Sequence, residues 1–145
     1  SYNASPETMA AALQVLAGIP VGMGRKIAAL GSMNELGKIA EREHRKIGKM
    51  LPTVCDVLVT VGGEARWFAE EAMAHGLPRE SVFSFDSSLE AGNFLRQNIA
   101  KRDVILAKGS QNRVRMEHCV KIILAHPEEA ANLLPRQDEY WLRHP

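Results

Sequence analysis

A chain of 145 residues, 46% hydrophobic and 24% charged, has the length and composition of one folded domain, because single hydrophobic cores organise roughly 100 to 200 residues. It is neither disordered nor collagenous in composition, and no apolar run approaches the ~20 residues of a membrane helix, so membrane insertion is not expected. With a formal net charge of +1 and Lys and Arg spread along the chain, no basic stripe offers itself to phosphate backbones, and nucleic acid is not an expected partner.

Taken in order, the elements alternate. Ser5 can cap a first helix with Pro6 in its first turn, and Met9, Ala12, Leu13 and Leu16 then share a face that Gly18 closes. Residues 26–30 read as a short apolar strand ended by Gly31, and residues 37–51 as an amphipathic helix. The β-branched run at 57–61 is a second strand; Gly62-Gly63 turns it into a helix carrying Ala65, Phe68, Ala69, Ala72 and Met73, which Gly76 ends. A third strand at 82–85, a helix at 88–100, a fourth strand at 104–107, the Lys108-Gly109-Ser110 loop and a helix at 114–125 follow, and Pro127 starts a last helix. In the tail, one of Tyr140 and Trp141 is expected to pack against the domain.

Short apolar strands alternating with helices imply βαβ crossovers and a mainly parallel sheet covered by helices on both faces, a three-layer Rossmann-like α/β domain. Ligands of such sheets gather at the carboxyl ends of the strands, which here carry Gly31-Ser32, Gly62-Gly63, Asp86-Ser87 and Lys108-Gly109-Ser110.

Other chemistries find little support. No G-x-x-x-x-G-K-[ST] phosphate loop occurs, no G-x-S-x-G elbow activates a serine, and the five His residues show no H-E-x-x-H spacing. No metal site is expected. Cys55 and Cys119 read as buried free thiols rather than a disulfide, and there is no export signal, so a cytoplasmic location is expected. The chain begins without Met on Ser1-Tyr2-Asn3-Ala4-Ser5-Pro6, which reads as a strand end running into a helix cap and suggests a cut boundary. Lys108-Gly109-Ser110 sets a cation and a hydroxyl about a glycine where a strand meets a helix start. Such a turn suits a carboxylate or phosphate, and a solvated turn fits equally well.

The run Lys108-Gly109-Ser110-Gln111-Asn112-Arg113-Val114-Arg115-Met116-Glu117 resembles the K-G-S-x-x-x-x-x-M-E segment of Mur ligases, specifically of those that add D-alanyl-D-alanine to UDP-N-acetylmuramoyl-tripeptide. The opening Ser1 to Pro6 run is similar to the family's D-D-S-Y-N-A-N-P stretch, and Gly31-Ser32-Met33-Asn34-Glu35-Leu36-Gly37 to its G-D-M-L-E-L-G loop, with His44 following at the family's spacing. Residues 58–62 with Ala65, and Arg136-Gln137 before Trp141, are weaker matches. The departures are Ser5 for the family's Asn and Ser32 for its Asp.

That resemblance implies the carboxy-terminal domain, residues 1–145, of a three-domain peptidoglycan-precursor ligase. The sugar-binding and central ATPase domains would lie upstream, in roughly 300 further residues. It implies substrate-binding roles for Lys108, Gly109, Ser110, Asn112, Arg115 and Glu117, and places Tyr2, Asn3 and Ser5 near the nucleotide; Ser32, Asn34, Glu35 and His44 become rim residues of unassigned role. ATP and Mg2+ would be held mainly by the central domain, with no cofactor required by this chain. The partners implied are UDP-N-acetylmuramoyl-peptide and D-alanyl-D-alanine. The chain is expected to be a monomer and inactive in isolation. The alternatives are a sister ligase adding diaminopimelate or lysine, and a stand-alone binding module. Ser110 after Lys108-Gly109, in place of the tripeptide-forming enzyme's His-Glu pair, argues against the sister.

Overall fold

Alternation along the strands dictates the architecture. In β1 (Lys26–Gly31), Ile27 and Ala29 join one apolar cluster while Ala28 and Leu30 join another; in β2 (Val57–Val61), Leu58 faces one way and Val59 and Val61 the other. Successive strand side chains point to opposite faces, so such a sheet must be covered on both. The computed structural model, which describes residues 4–110 and 114–140, shows that it is. Helices α1 (Pro6–Gly18), α2 (Ala40–Gly48) and α3 (Arg66–Ala74) bury Leu13, Ile47 and Phe68 against one face; α4 (Ser88–Asn98) and α5 (Met116–Ile123) bury Leu95 and Cys119 against the other. Each large apolar side chain so enclosed contributes about 1.5–3 kcal/mol.

With β3 (Val82–Phe85) and β4 (Val104–Lys108) the sheet has the order β3-β2-β1-β4, and every pairing is parallel. The expected three-layer α/β domain is therefore the observed one. From β1 the chain steps outward to β2 and β3, then returns to the far side of β1 as β4. This reversal leaves a topological switch point between β1 and β4, where the loops after the two strands diverge and ligands commonly bind. The Lys26 ammonium donates to the Ala17 carbonyl, so α1 ends beside the start of β1 and its Ser5 end points to the carboxyl rim of the sheet.

Several boundaries differ from those read off the pattern. The helix expected over 37–51 is a 3-10 turn Gly37–Ile39, then α2, then a second 3-10 turn Leu51–Thr53 containing Pro52. Gly37 has φ +54°, a conformation that does not continue a helix. At the other end of the chain's fourth strand, Lys108 pairs with Leu30 as the last residue of β4 rather than opening the loop. The following helix starts at Met116, not 114, because Arg115 takes the left-handed conformation, φ 49° and ψ 57°. From Pro127 onward the described residues form a 3-10 turn (Pro127–Glu129) and the four-residue α6 (Ala130–Leu133) in place of a longer helix.

Candidate functional site

The switch point is built on close backbone approach. A side-chain carbon added to Gly31 would lie 2.2 Å from Val114 Cγ1, and one added to Gly109 would lie 2.9 Å from Gly31 Cα. Two glycines thus let the loops after β1 and β4 touch. Across that contact the Ser110 amide donates to the Ser32 carbonyl at 3.1 Å, and the Asn34 amide donates to Ser110 Oγ at 2.8 Å. Ser32 Oγ accepts from the Ala65 amide at 3.1 Å, just before α3. Loops after β1, β2 and β4 are tied into one unit through two serines.

Behind this unit stands His44, wholly buried. The Met33 amide donates to its Nε2 at 2.9 Å, so that nitrogen must carry the lone pair, and Nδ1 must carry the proton that it donates to the Ala40 carbonyl at 2.7 Å. Its imidazole also meets the Trp67 ring edge-on, centroids 5.6 Å apart, and the Phe68 ring at 4.7 Å. Burial holds its pKa below the ordinary value, with the backbone bond and Glu64 opposing in part. His44 is therefore neutral and lies behind the rim, not on it.

In front of the unit opens a cleft of about 630 Å³. It is lined by Ser32, Asn34 and Glu35 after β1, by Gly62, Gly63 and Glu64 after β2, by Arg66 and Trp67 at the start of α3, and by Asp86 and Val114. A neighbouring hollow of about 470 Å³ shares Gly62, Gly63, Arg66 and Asp86 and reaches Glu90. The Arg66 guanidinium carbon lies 5.5 Å from the centroid of the Trp67 ring. Among the described residues, neither Arg66 nor Glu35, Glu64 or Asp86 forms an ion pair, so the cleft presents a cation and three carboxylates to whatever enters.

The residues singled out in the sequence are distributed differently from their expected roles. Ser32, Asn34 and Glu35 do line the cleft, but Lys108 and Ser110 are buried beside it, 8% and 7% exposed. Burial lowers the Lys108 pKa. Glu117, 4% exposed, is gripped by Arg115 Nε at 3.0 Å and by Arg136, whose Nε and Nη2 lie 2.9 and 3.0 Å from its two oxygens. Burial would raise its pKa; the Arg136 and Arg115 bonds outweigh this and hold it below the ordinary value. Arg115 and Glu117 thus form structure behind the site rather than its surface. Ser5 closes a capping box on α1: its Oγ accepts from the Thr8 amide at 3.3 Å, and its amide donates to Thr8 Oγ1 at 3.0 Å. Tyr2, Asn3, Asn112 and Trp141 lie outside the described residues. Tyr140 is 64% exposed, while Arg136 is buried on Glu117.

Arg66, Trp67 and Glu64 line the cleft without belonging to any motif in the sequence. The available signal was position, since all three follow directly on the Gly62-Gly63 turn at a strand's carboxyl end.

Residues 1–111 match the family model of the Mur ligase, glutamate ligase domain. The chain belongs to this family. It is 32% identical over 128 residues to the UDP-N-acetylmuramoyl-tripeptide--D-alanyl-D-alanine ligase of Bacillus subtilis, covering 88% of this chain and 27% of that protein. It is 37% identical over 129 residues to the ligase of the same name from Mycobacterium bovis, covering 76% and 25%. Among solved structures, it superposes on MurF from Acinetobacter baumannii with a TM-score of 0.70 at 28% identity, covering 85% of this chain and 26% of that one. On the MurF ligase of Thermotoga maritima in complex with ADP the TM-score is 0.65 at 25% identity, covering 92% and 28%. This Mur ligase domain spans about a quarter of the length of these relatives. Among its described residues no helix is long and apolar enough to cross a membrane.

Proposed function

We infer that this Mur ligase domain is the carboxy-terminal part of a cytoplasmic, ATP-dependent ligase that adds D-alanyl-D-alanine to UDP-N-acetylmuramoyl-tripeptide in peptidoglycan precursor synthesis. The observation that carries the reading is the charge pattern of the cleft: D-alanyl-D-alanine is a zwitterion, and the cleft offers Arg66 and Glu35, Glu64 and Asp86 to its two poles. The relatives' shared name agrees with it.

In such a ligase ATP serves as a substrate that activates the tripeptide carboxylate, so that the dipeptide amine attacks the carbonyl carbon, an amide bond forms, and ADP and phosphate leave. This chain has no phosphate loop in its sequence. ATP and Mg2+ are accordingly assigned to the rest of the full-length protein, with Ser5, at the rim end of α1, facing the nucleotide on closure along with Tyr2 and Asn3. The domain's own contribution is orientation: it holds the incoming amine near the activated carbon and shields it from water once the domains close. The Lys108 to Ser110 segment supports the wall of the dipeptide site from behind.

The test is a substrate panel on the full-length protein. With UDP-N-acetylmuramoyl-tripeptide and ATP, ADP release coupled to product formation is expected with D-alanyl-D-alanine. Turnover instead with diaminopimelate or lysine and the dipeptide precursor would replace the reading with a sister ligase; no turnover with any acceptor would leave a binding module. The isolated 145-residue chain is expected to show no turnover.

A further inference from the structure

The loop after β1 supplies Ser32, Asn34 and Glu35 to the cleft, yet Glu35 and Gly37 both have positive φ, 67° and 54°. A non-glycine residue in that region is strained and persists only where its surroundings impose it. The residues just before Glu35 are held by a chain of hydrogen bonds. At one end, Asn34 N donates to Ser110 Oγ and Ser110 N to Ser32 O. At the other, Met33 N donates to the wholly buried His44, and the Met33 side chain is itself fully enclosed. His44, on α2, connects this loop to the helix layer, and the same ring packs edge-on to Trp67, which lines the cleft along with Asn34.

We propose that His44 is a positioning residue for the incoming carboxylate-bearing substrate. As the Nδ1-protonated imidazole it fixes the Met33 amide, and through it the Ser32 to Glu35 wall of the cleft and the orientation of Trp67 beside Arg66. It does not touch substrate. The identity of that substrate rests on the proposed function; the fixing of the wall does not.

A His at this position meets two demands that an apolar side chain cannot: it accepts from one backbone amide while donating to a backbone carbonyl. Phe keeps the ring shape and the contacts with Trp67 and Phe68 but leaves the Met33 amide buried without an acceptor. Gln offers one acceptor and one donor on a side chain of comparable reach. The two variants therefore separate hydrogen bonding from packing.

In the full-length ligase, His44→Phe and His44→Gln are to be compared with the parent by hydrogen exchange of the peptide spanning residues 31–37, read by mass spectrometry, and by KM for each substrate. For His44→Phe, faster exchange of that peptide is expected, with the dipeptide KM raised about tenfold, the worth of one hydrogen bond of ordinary strength, and the KM for ATP within about twofold. His44→Gln is expected to restore both the slow exchange and most of the dipeptide affinity. Parent-like exchange and KM in His44→Phe would overturn the proposal. So would an equal rise of both KM values, or a His44→Gln enzyme with slow exchange but the Phe variant's KM. If the parent does not accept D-alanyl-D-alanine at all, the functional reading fails. The exchange comparison then still decides whether His44 fixes the wall, and parent-like exchange in the Phe variant refutes it. Should His44→Phe not fold, His44→Leu takes its place with the same criteria: faster exchange of residues 31–37 and a raised dipeptide KM that His44→Gln does not show support the bond's role, and parent-like exchange in His44→Leu refutes it.

Discussion

Arg136 lies across both carboxylate oxygens of Glu117, Nε to Oε1 at 2.9 Å and Nη2 to Oε2 at 3.0 Å. Arg115 Nε shares Oε1 at 3.0 Å, so one buried carboxylate joins the first turn of α5, the left-handed residue before it and the segment after α6. Bidentate geometry of this kind is strong because both N–H vectors point at lone pairs. Removing Glu117 takes a buried carboxylate partner from two buried guanidinium groups at once, whereas removing one arginine leaves the carboxylate a second partner.

Glu117→Ala is therefore expected to lower unfolding free energy by about 3–5 kcal/mol, and Arg136→Ala by less. Urea titrations followed by far-UV circular dichroism check this. A Glu117→Ala loss below about 1 kcal/mol would show that the triad is not what holds the segment.

The contact between Gly31 and Val114 makes a second prediction. Gly31→Ala pushes its methyl to within 2.2 Å of Val114 Cγ1 and 3.3 Å of Met116 Cγ, overpacking that typically costs about 1–3 kcal/mol. Because Val114 Cγ1 belongs to a side chain, Val114→Ala in the same protein should recover part of the loss. The double-mutant cycle in urea measures the coupling; strict additivity would mean that the two sites do not clash.

Acid should weaken the domain before its carboxylates titrate. Burial lowers the folded-state pKa of both His44 and His118 from 6.5. Around His44 the opposing charge is Glu64; around His118, Arg115, Lys121 and Arg136 lower the pKa further while Glu117 opposes. As pH falls below 6.5 the unfolded chain takes up these protons first, so stability is fully present above 6.5 and declines below it. The urea midpoint is expected to fall between about pH 7.5 and about pH 5.5, roughly one unit either side of the unperturbed value, and to fall less in His44→Gln. A midpoint that is flat over that interval would contradict the neutral, buried state of His44.

Much of the fold was legible because its signals are local. The β-branched run of β2, bounded by Gly62-Gly63, and the Ser5-Pro6 start of α1 carry their own stop and start chemistry. The broken helix over 37–51 was not, since the amphipathic pattern runs on through Gly37 and nothing in it marks that residue's positive φ. The site was legible in part. Strand-end positions picked out Ser32, Gly62 and Asp86, and the family resemblance Asn34, but pairings such as Arg136 with Glu117 or His44 with Met33 depend on tertiary contact, which no spacing rule encodes. That is why Lys108 and Glu117, matched by motif, lie buried, while Arg66, matched by nothing, lines the cleft.

Ser110 is one such support. Ser110→Ala removes the acceptor of the Asn34 amide, and in the full-length ligase it is expected to raise the dipeptide KM several-fold, in line with one hydrogen bond, with the ATP KM unchanged. Equal effects on both substrates would remove the Ser110 loop from the dipeptide site.

The most direct test concerns Arg66, the guanidinium of the cleft, and consists of the two KM values of the full-length ligase carrying Arg66→Ala. Loss of a charge-assisted bond to the dipeptide carboxylate is expected to raise the D-alanyl-D-alanine KM at least about tenfold, with the ATP KM within about twofold of the parent. An unchanged dipeptide KM, or an equal rise for ATP, would contradict the assignment of this cleft to the incoming dipeptide.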